Sequence, residues 1–169
     1  MSHQSVYLKL KIGDNDVDGE STVHSIDDMS VENAIECLTF EQLLSVGYEG
    51  RSSRPSGPPS FGPVRILKEL DRSSPLLAQG LTATSPVEAT FHFFRQAQSG
   101  AGTKKFYEVK LENARVARLE ASVGQVNGRE MPREQVDLVF SKITWTYTTE
   151  SGQTTAHSWQ WTEQAGSQG

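Results

Sequence analysis

The chain lacks most of what covalent chemistry requires. It has one cysteine, Cys37, in 169 residues, so it can build neither an intrachain disulfide nor a thiolate metal site, and a buried structural thiol is expected. Its four histidines, His3, His24, His92 and His157, fall in no metal-ligand spacing. There is no Gly-x-Ser-x-Gly elbow and no glycine loop ahead of a helix to cradle phosphate. Asp27 and Asp28 adjoin, but neighbours in an extended segment point to opposite faces, which makes a poor catalytic pair. No catalytic, cofactor-binding or metal residue is expected, and the protein does not read as an enzyme.

Other absences narrow the partners. The charge is −5, from 21 acidic and 16 basic residues, with no basic block of the kind that tracks a phosphate backbone, so nucleic acid is not expected. No apolar run approaches the roughly 18 residues of a membrane-spanning helix, so no membrane insertion is expected. Ser2 to Ser5 form no basic n-region, and Lys9 and Lys11 interrupt the apolar positions that follow, so no cleavable signal is expected.

What is present is ordinary for one globular domain: 36% hydrophobic residues and a mean hydropathy of −0.48. A single domain over 1–169 is expected, with a core from about 6 to 161 and a flexible polar tail, 162–169. Val6, Leu8, Leu10 and Ile12 alternate with Tyr7, Lys9 and Lys11, the period of a strand with one buried face. A turn follows at Gly13 to Asp16. Residues 24–38 read as strand. Gly47 to Pro63 is rich in Gly, Ser, Pro and Arg and reads as a long exposed loop, a feature usually functional or disordered inside a compact domain. A contact arm toward another subunit and a tolerated insertion are both open at this point.

Val64 to Leu70 reads as strand. Ser74 is placed as an N-cap with Pro75 at the first helical position and Gly80 as the stop, which predicts a short helix over Pro75 to Gln79 anchored by Leu76 and Leu77. Val87, Ala89, Phe91 and Phe93 mark one strand face. Lys104 to Val123 is a long strand whose apolar parity slips at Ala114 and slips back, as at a bulge or a crossing between sheets. Val136, Leu138 and Phe140 alternate, then the parity slips once more at Ile143, Trp145 and Tyr147. Trp159 and Trp161 share one face of the closing strand, which fits core or interface packing.

Consecutive strands without βαβ alternation predict a mainly β fold: an antiparallel barrel or sandwich of two sheets, one short flanking helix and one long extended loop. Long strands expose edges, and edges are protected by closure or by pairing with another subunit.

Several of these segments, in order, resemble the Hcp (hemolysin-coregulated) proteins, tube subunits of bacterial type VI secretion systems. Tyr7 to Ile12 precedes Asp18, Gly19, Glu20 and Ser21, similar to the family's Gly-Glu-Ser element, with His24 and Ile26 after it. Lys68, Glu69, Leu70, Asp71, Arg72, Ser73, Ser74, Pro75 and Leu76 resemble the family's Lys, Asp, Ser-(Ser/Thr)-Pro signature. Tyr107, Leu111 and Val116 fit the long middle strand; Glu134, Leu138, Phe140, Ile143, Trp145 and Tyr147 fit the penultimate one, and Trp159 the last. The tryptophan-rich wording common after the histidine is missing from His24 to Leu38.

The resemblance implies a β-barrel that assembles into hexameric rings. These stack into a tube inside a contractile sheath, tipped by a spike, holding and protecting small effector proteins in the lumen. It implies bacterial cytoplasm first and export through the apparatus afterwards, with no cofactor. On this reading Tyr48, Arg51, Arg54 and Phe61 of the long loop make ring-stacking contacts. The rivals are a tail-tube subunit of a phage-like contractile particle, and a monomeric β-barrel that binds a small molecule among its tryptophans and histidines.

Overall fold

The structure is a computed structural model that describes residues 4–161; the expected tail, 162–169, and His3 lie outside the described residues. In chain order come β1 (Ser5–Ile12), β2 (Asn15–Val17), β3 (Ser25–Ile26), β4 (Met29–Ser30), β5 (Ile35–Cys37), β6 (Thr39–Glu41), β7 (Leu44–Ser45), β8 (Ser60–Phe61) and β9 (Val64–Glu69). Helix α1 (Ser74–Thr82) follows, then β10 (Val87–Gln96), β11 (Thr103–Val126), β12 (Arg129–Val139), β13 (Lys142–Thr148) and β14 (Thr154–Gln160). Every strand pairing is antiparallel, and the mainly β expectation with one helix holds.

The hydrogen-bonded circuit closes. β1 pairs β10, β10 pairs the first half of β11, the second half of β11 pairs β12, and β12 pairs β9. The return path is one short segment: β5 lies on β1, with Val6 opposite Cys37, and two residues later β6 lies on β9, with Thr39 opposite Leu67. Between them the Leu38 N–H donates to the Leu67 carbonyl at 2.7 Å. Closure pairs most of the length of these strands on both sides, the barrel solution to the edge problem, while residues 115–126 of β11 pair on the β12 side alone.

The parity slip within β11 has a physical cause. Residues 103–114 pair β10 and residues 115–126 pair β12, with a register shift at Val116/Arg118 and a positive φ of 49° at Asn113. One 24-residue strand thus belongs to both sheets. The slip between Phe140 and Ile143 sits across from it. β12 and β13 lie along the same edge of β11, interrupted at Phe140–Ser141, where Ser141 N–H donates to Glu112 O.

The barrel interior is filled. Leu8, Leu10, Phe91, Val109, Leu111, Leu138 and Ile143 are buried in one cluster with Leu77 of α1. Barrels of about eight strands or fewer are commonly filled in this way by side chains.

Three local expectations are corrected. Residues 24–38 are no continuous strand: 18–34 form a flap carrying only the short β3–β4 hairpin, and it folds over the outside of β1 and β10. That flap buries Tyr7 with Phe94, Val31 and Ala34, so β1 is covered on its outer face at Tyr7 while Lys9 and Lys11 stay exposed. Val87, Ala89, Phe91 and half-buried Phe93 share the core face as expected, and His92 and Phe94 on the opposite face are buried as well. The helix runs on to Thr82, since Gly80 packs inside it against Ile12 and the end comes at Ala83, just before Thr84 at φ 50°. Of its expected anchors, Leu77 is buried and Leu76 is exposed.

Candidate functional site: an ordered arm, an open edge and a buried lysine

The segment from Leu43 to Gly62 leaves the barrel as an arm held by its own backbone hydrogen bonds. Gly62 N–H donates to Leu43 O at 3.0 Å, Ser56 N–H to Gly47 O at 2.7 Å and Glu49 N–H to Arg54 O at 2.9 Å. Tyr48 and Pro55 face each other across it, and Ser53 takes the positive φ that the tip requires. It is therefore an irregular hairpin, a regularity that its Gly, Ser and Pro content concealed.

The four loop residues separate into two groups. Tyr48, 72% exposed, Arg51 and Arg54 sit at or beside the tip. Phe61 sits at the base and turns inward: it stacks on Trp159 with ring centroids 4.0 Å apart and meets Phe140, Trp145 and Trp161. Gln42 joins this anchorage, its Oε1 accepting from Trp145 Nε1 at 3.0 Å. Leu43, 68% exposed, with Leu44 and Val46 adds apolar area to the arm. Their signal in the sequence was a short apolar run beside a Gly- and Pro-rich stretch.

A second feature is β14. It pairs β13 on one side and no strand on the other among the described residues. Six of its seven residues are exposed and none is Lys, Arg, Asp, Glu or Pro. Natural edge strands usually carry such guards. Its outward face and that of β13 present Thr144, Thr146, Ala156 and Ser158, with the Thr144 and Ser158 hydroxyls 2.8 Å apart.

The third feature lies where β9 meets α1. Lys68 is 1% exposed, and its Nζ donates to Glu69 O at 2.9 Å and Ser74 Oγ at 3.1 Å. Asp71 lies 3.1 Å and Glu134 3.6 Å from the same nitrogen. Burial pushes the Glu134 carboxyl above the usual carboxylate range, and the Lys68 charge only partly opposes this. Ser74 accepts from Asp71 N–H, so Ser73, and not Ser74, occupies the N-cap. Arg72 reaches away to the flap, donating to Gly19 O and Asn33 Oδ1, each at 2.7 Å.

The polar groups of the interior are engaged in structural contacts. Lys68 is spent on four oxygens and Cys37 is buried, with its thiol pushed up by that burial. His92 lies under the flap, where burial and the Lys105 charge push it down to about 4, while His157 stacks on Trp145 at the open edge. Among the described residues no three His, Cys, Asp or Glu side chains gather to hold a metal, and no helix is long and apolar enough to cross a membrane.

Comparison with known proteins bears on these features as a set. Residues 7–147 match the family model described as type VI secretion system effector, Hcp. The Major exported protein of Pseudomonas aeruginosa is 27% identical over 135 residues, covering 76% of this chain and 77% of that protein. The structure of a mutant Hcp1 protein from the E. coli EAEC 042 pathovar superposes with a TM-score of 0.72 at 28% identity, over 92% of this chain and 98% of that one. The crystal structure of another Hcp protein gives a TM-score of 0.75 at 23% identity, over 92% and 99%.

Proposed function

The chain belongs to the Hcp family of type VI secretion proteins, and from that premise we propose that it forms hexameric rings which stack into the secretion tube. The observation that carries the ring is β14: a seven-residue, uncharged, proline-free edge with open backbone donors and acceptors. Such an edge gains its missing hydrogen bonds by lying against another copy. A contact between two different surfaces of the same chain generates a ring when its rotation closes.

The arm supports stacking of those rings. It is pre-ordered, so docking it costs little conformational entropy, and its exposed Tyr48 and arginines are residue types that dominate interfaces. Lateral contacts along strands and axial contacts through arms give a strong joint in one direction and a reversible one in the other. The lumen, the sheath, the spike and small effectors held inside the ring are the partners this reading assigns. Export from the bacterial cytoplasm through the apparatus follows from the same assignment.

The decisive measurement is the mass of the purified chain by light scattering, with negative-stain images of the same sample. A six-subunit mass and a central hole are expected; a monomer at working concentration overturns the reading.

A further inference from the structure

β9 connects two unlike surfaces. Its first residue, Val64, follows the arm base at Gly62–Pro63; its last, Glu69, lines a shallow groove of about 130 Å³. The six residues of β9 set these surfaces roughly 20 Å apart. Glu20, Glu36, Glu69 and Asp71 rim the groove, and Val23 and Leu38, each 40% exposed, supply its apolar part.

The rim is not neutralised from within. Lys68 answers Asp71, and Glu20 accepts the backbone N–H of Arg72 at 3.3 Å. Glu36 and Glu69 have no cation partner among the described residues, and the same holds for Arg51 and Arg54 on the arm. The chain thus carries an ordered, exposed aromatic and cationic arm at one end of β9. At the other end is an open acidic groove that Val23 and Leu38 also line.

We propose that the groove is the receptor for the arm of a second copy: Arg51 and Arg54 pair with Glu36 and Glu69, and Tyr48 covers Val23 and Leu38. Because arm and groove lie at opposite ends of one strand, the contact is head-to-tail, and between stacked rings such a contact repeats from one ring to the next. The assignment rests on the ring reading above and adds the axial receptor to it. Exposed ion pairs are salt-sensitive, so the joint loosens as ionic strength rises while rings persist.

The test uses the full chain with charges exchanged. R51E/R54E alone and E36R/E69R alone are expected to give single rings, and the four changes together to restore stacks, read by sedimentation and negative-stain microscopy. Each one-sided reversal sets like charges face to face and should weaken stacking on the order of 100-fold. In parallel, Arg54→Cys combined with Glu69→Cys should give an oxidised ladder of cross-linked subunits, while Arg54→Cys with Gln160→Cys should not. Buried Cys37 adds no background. Rings that stack with the groove charges reversed, or a combined exchange that fails to restore stacking, overturn the contact and leave the ring reading standing. A wild-type chain that stays monomeric removes both.

Discussion

Arg72 donates from Nε to the carbonyl oxygen of Gly19 at 2.7 Å across 53 residues of sequence. Its second nitrogen holds Asn33, so one guanidinium pins both ends of the flap to the start of α1. Gly19 is glycine for a reason of space: a Cβ there would lie 2.7 Å from Ala34 O and 2.9 Å from Ile35 Cα. Two short motifs distant in sequence are therefore halves of one clamp.

Arg72→Lys keeps the charge and loses the fork, and Arg72→Ala loses both. Each should lower stability by about 1–3 kcal/mol, the range of charge-assisted hydrogen bonds. Hydrogen exchange should accelerate at Ser21 and Asn33, whose amides bond across the flap, and stay unchanged in β12. Uniform acceleration throughout the barrel would refute the clamp.

Lys68 makes a sharper case. Lys68→Ala leaves Asp71 and Glu134 facing each other in a buried site, and the loss should be about 3–5 kcal/mol in a urea titration. Lys68→Met with Glu134→Leu replaces the pair by apolar groups and should recover much of it. If the double variant is no better than the single one, the buried charges are not what makes the single one unstable.

His92 sets an acid limit. Burial first, and the Lys105 charge second, hold it down to about 4, against an ordinary value near 6.5, with Lys9 acting the same way and Glu108 opposing. The unfolded chain therefore binds a proton between these values that the folded chain refuses, and stability falls as pH drops from about 6.5 to 4. The full effect is about 3 kcal/mol. His92→Asn should flatten that part of the pH profile of unfolding; a profile parallel to that of the wild type would show that His92 does not set it.

Phe61 is the arm's root. Phe61→Ala removes the ring that stacks on Trp159 and should cost about 2 kcal/mol. Tryptophan emission should shift red as Trp145 and Trp159 gain water. Emission identical to the wild type would place the root elsewhere.

Elements with a simple period were readable in the sequence; those shaped by a distant partner were not. β1 and β10 betray themselves by alternation, but the burial of Tyr7 and His92 depends on a flap that sequence spacing cannot place. Pro75 marks the helix start because its ring acts locally, whereas Gly80 misleads as a stop because its missing side chain serves Ile12. Lys68 stands in the sequence only as one letter of a motif, and its burial against Asp71 and Glu134 is visible only once the chain has folded back on itself. Of the arm, exposure was legible from composition and the hairpin ladder was not, because Gly, Ser and Pro carry no periodicity. Tyr48, Arg51 and Arg54 gather near the tip, while Phe61 belongs to the barrel side.

The shared strand β11 also decides how the subunit bears force. Two sheets joined only by packing separate when pulled, one row of contacts yielding after another. Here a continuous backbone runs through both, with partners along each half, so tension between the sheets loads covalent bonds and shears many hydrogen bonds at once. Such a subunit resists abrupt thrust along that strand far better than peeling at β14. In a force-spectroscopy experiment, the closing hairpin should detach first and the β11 crossing should fail last.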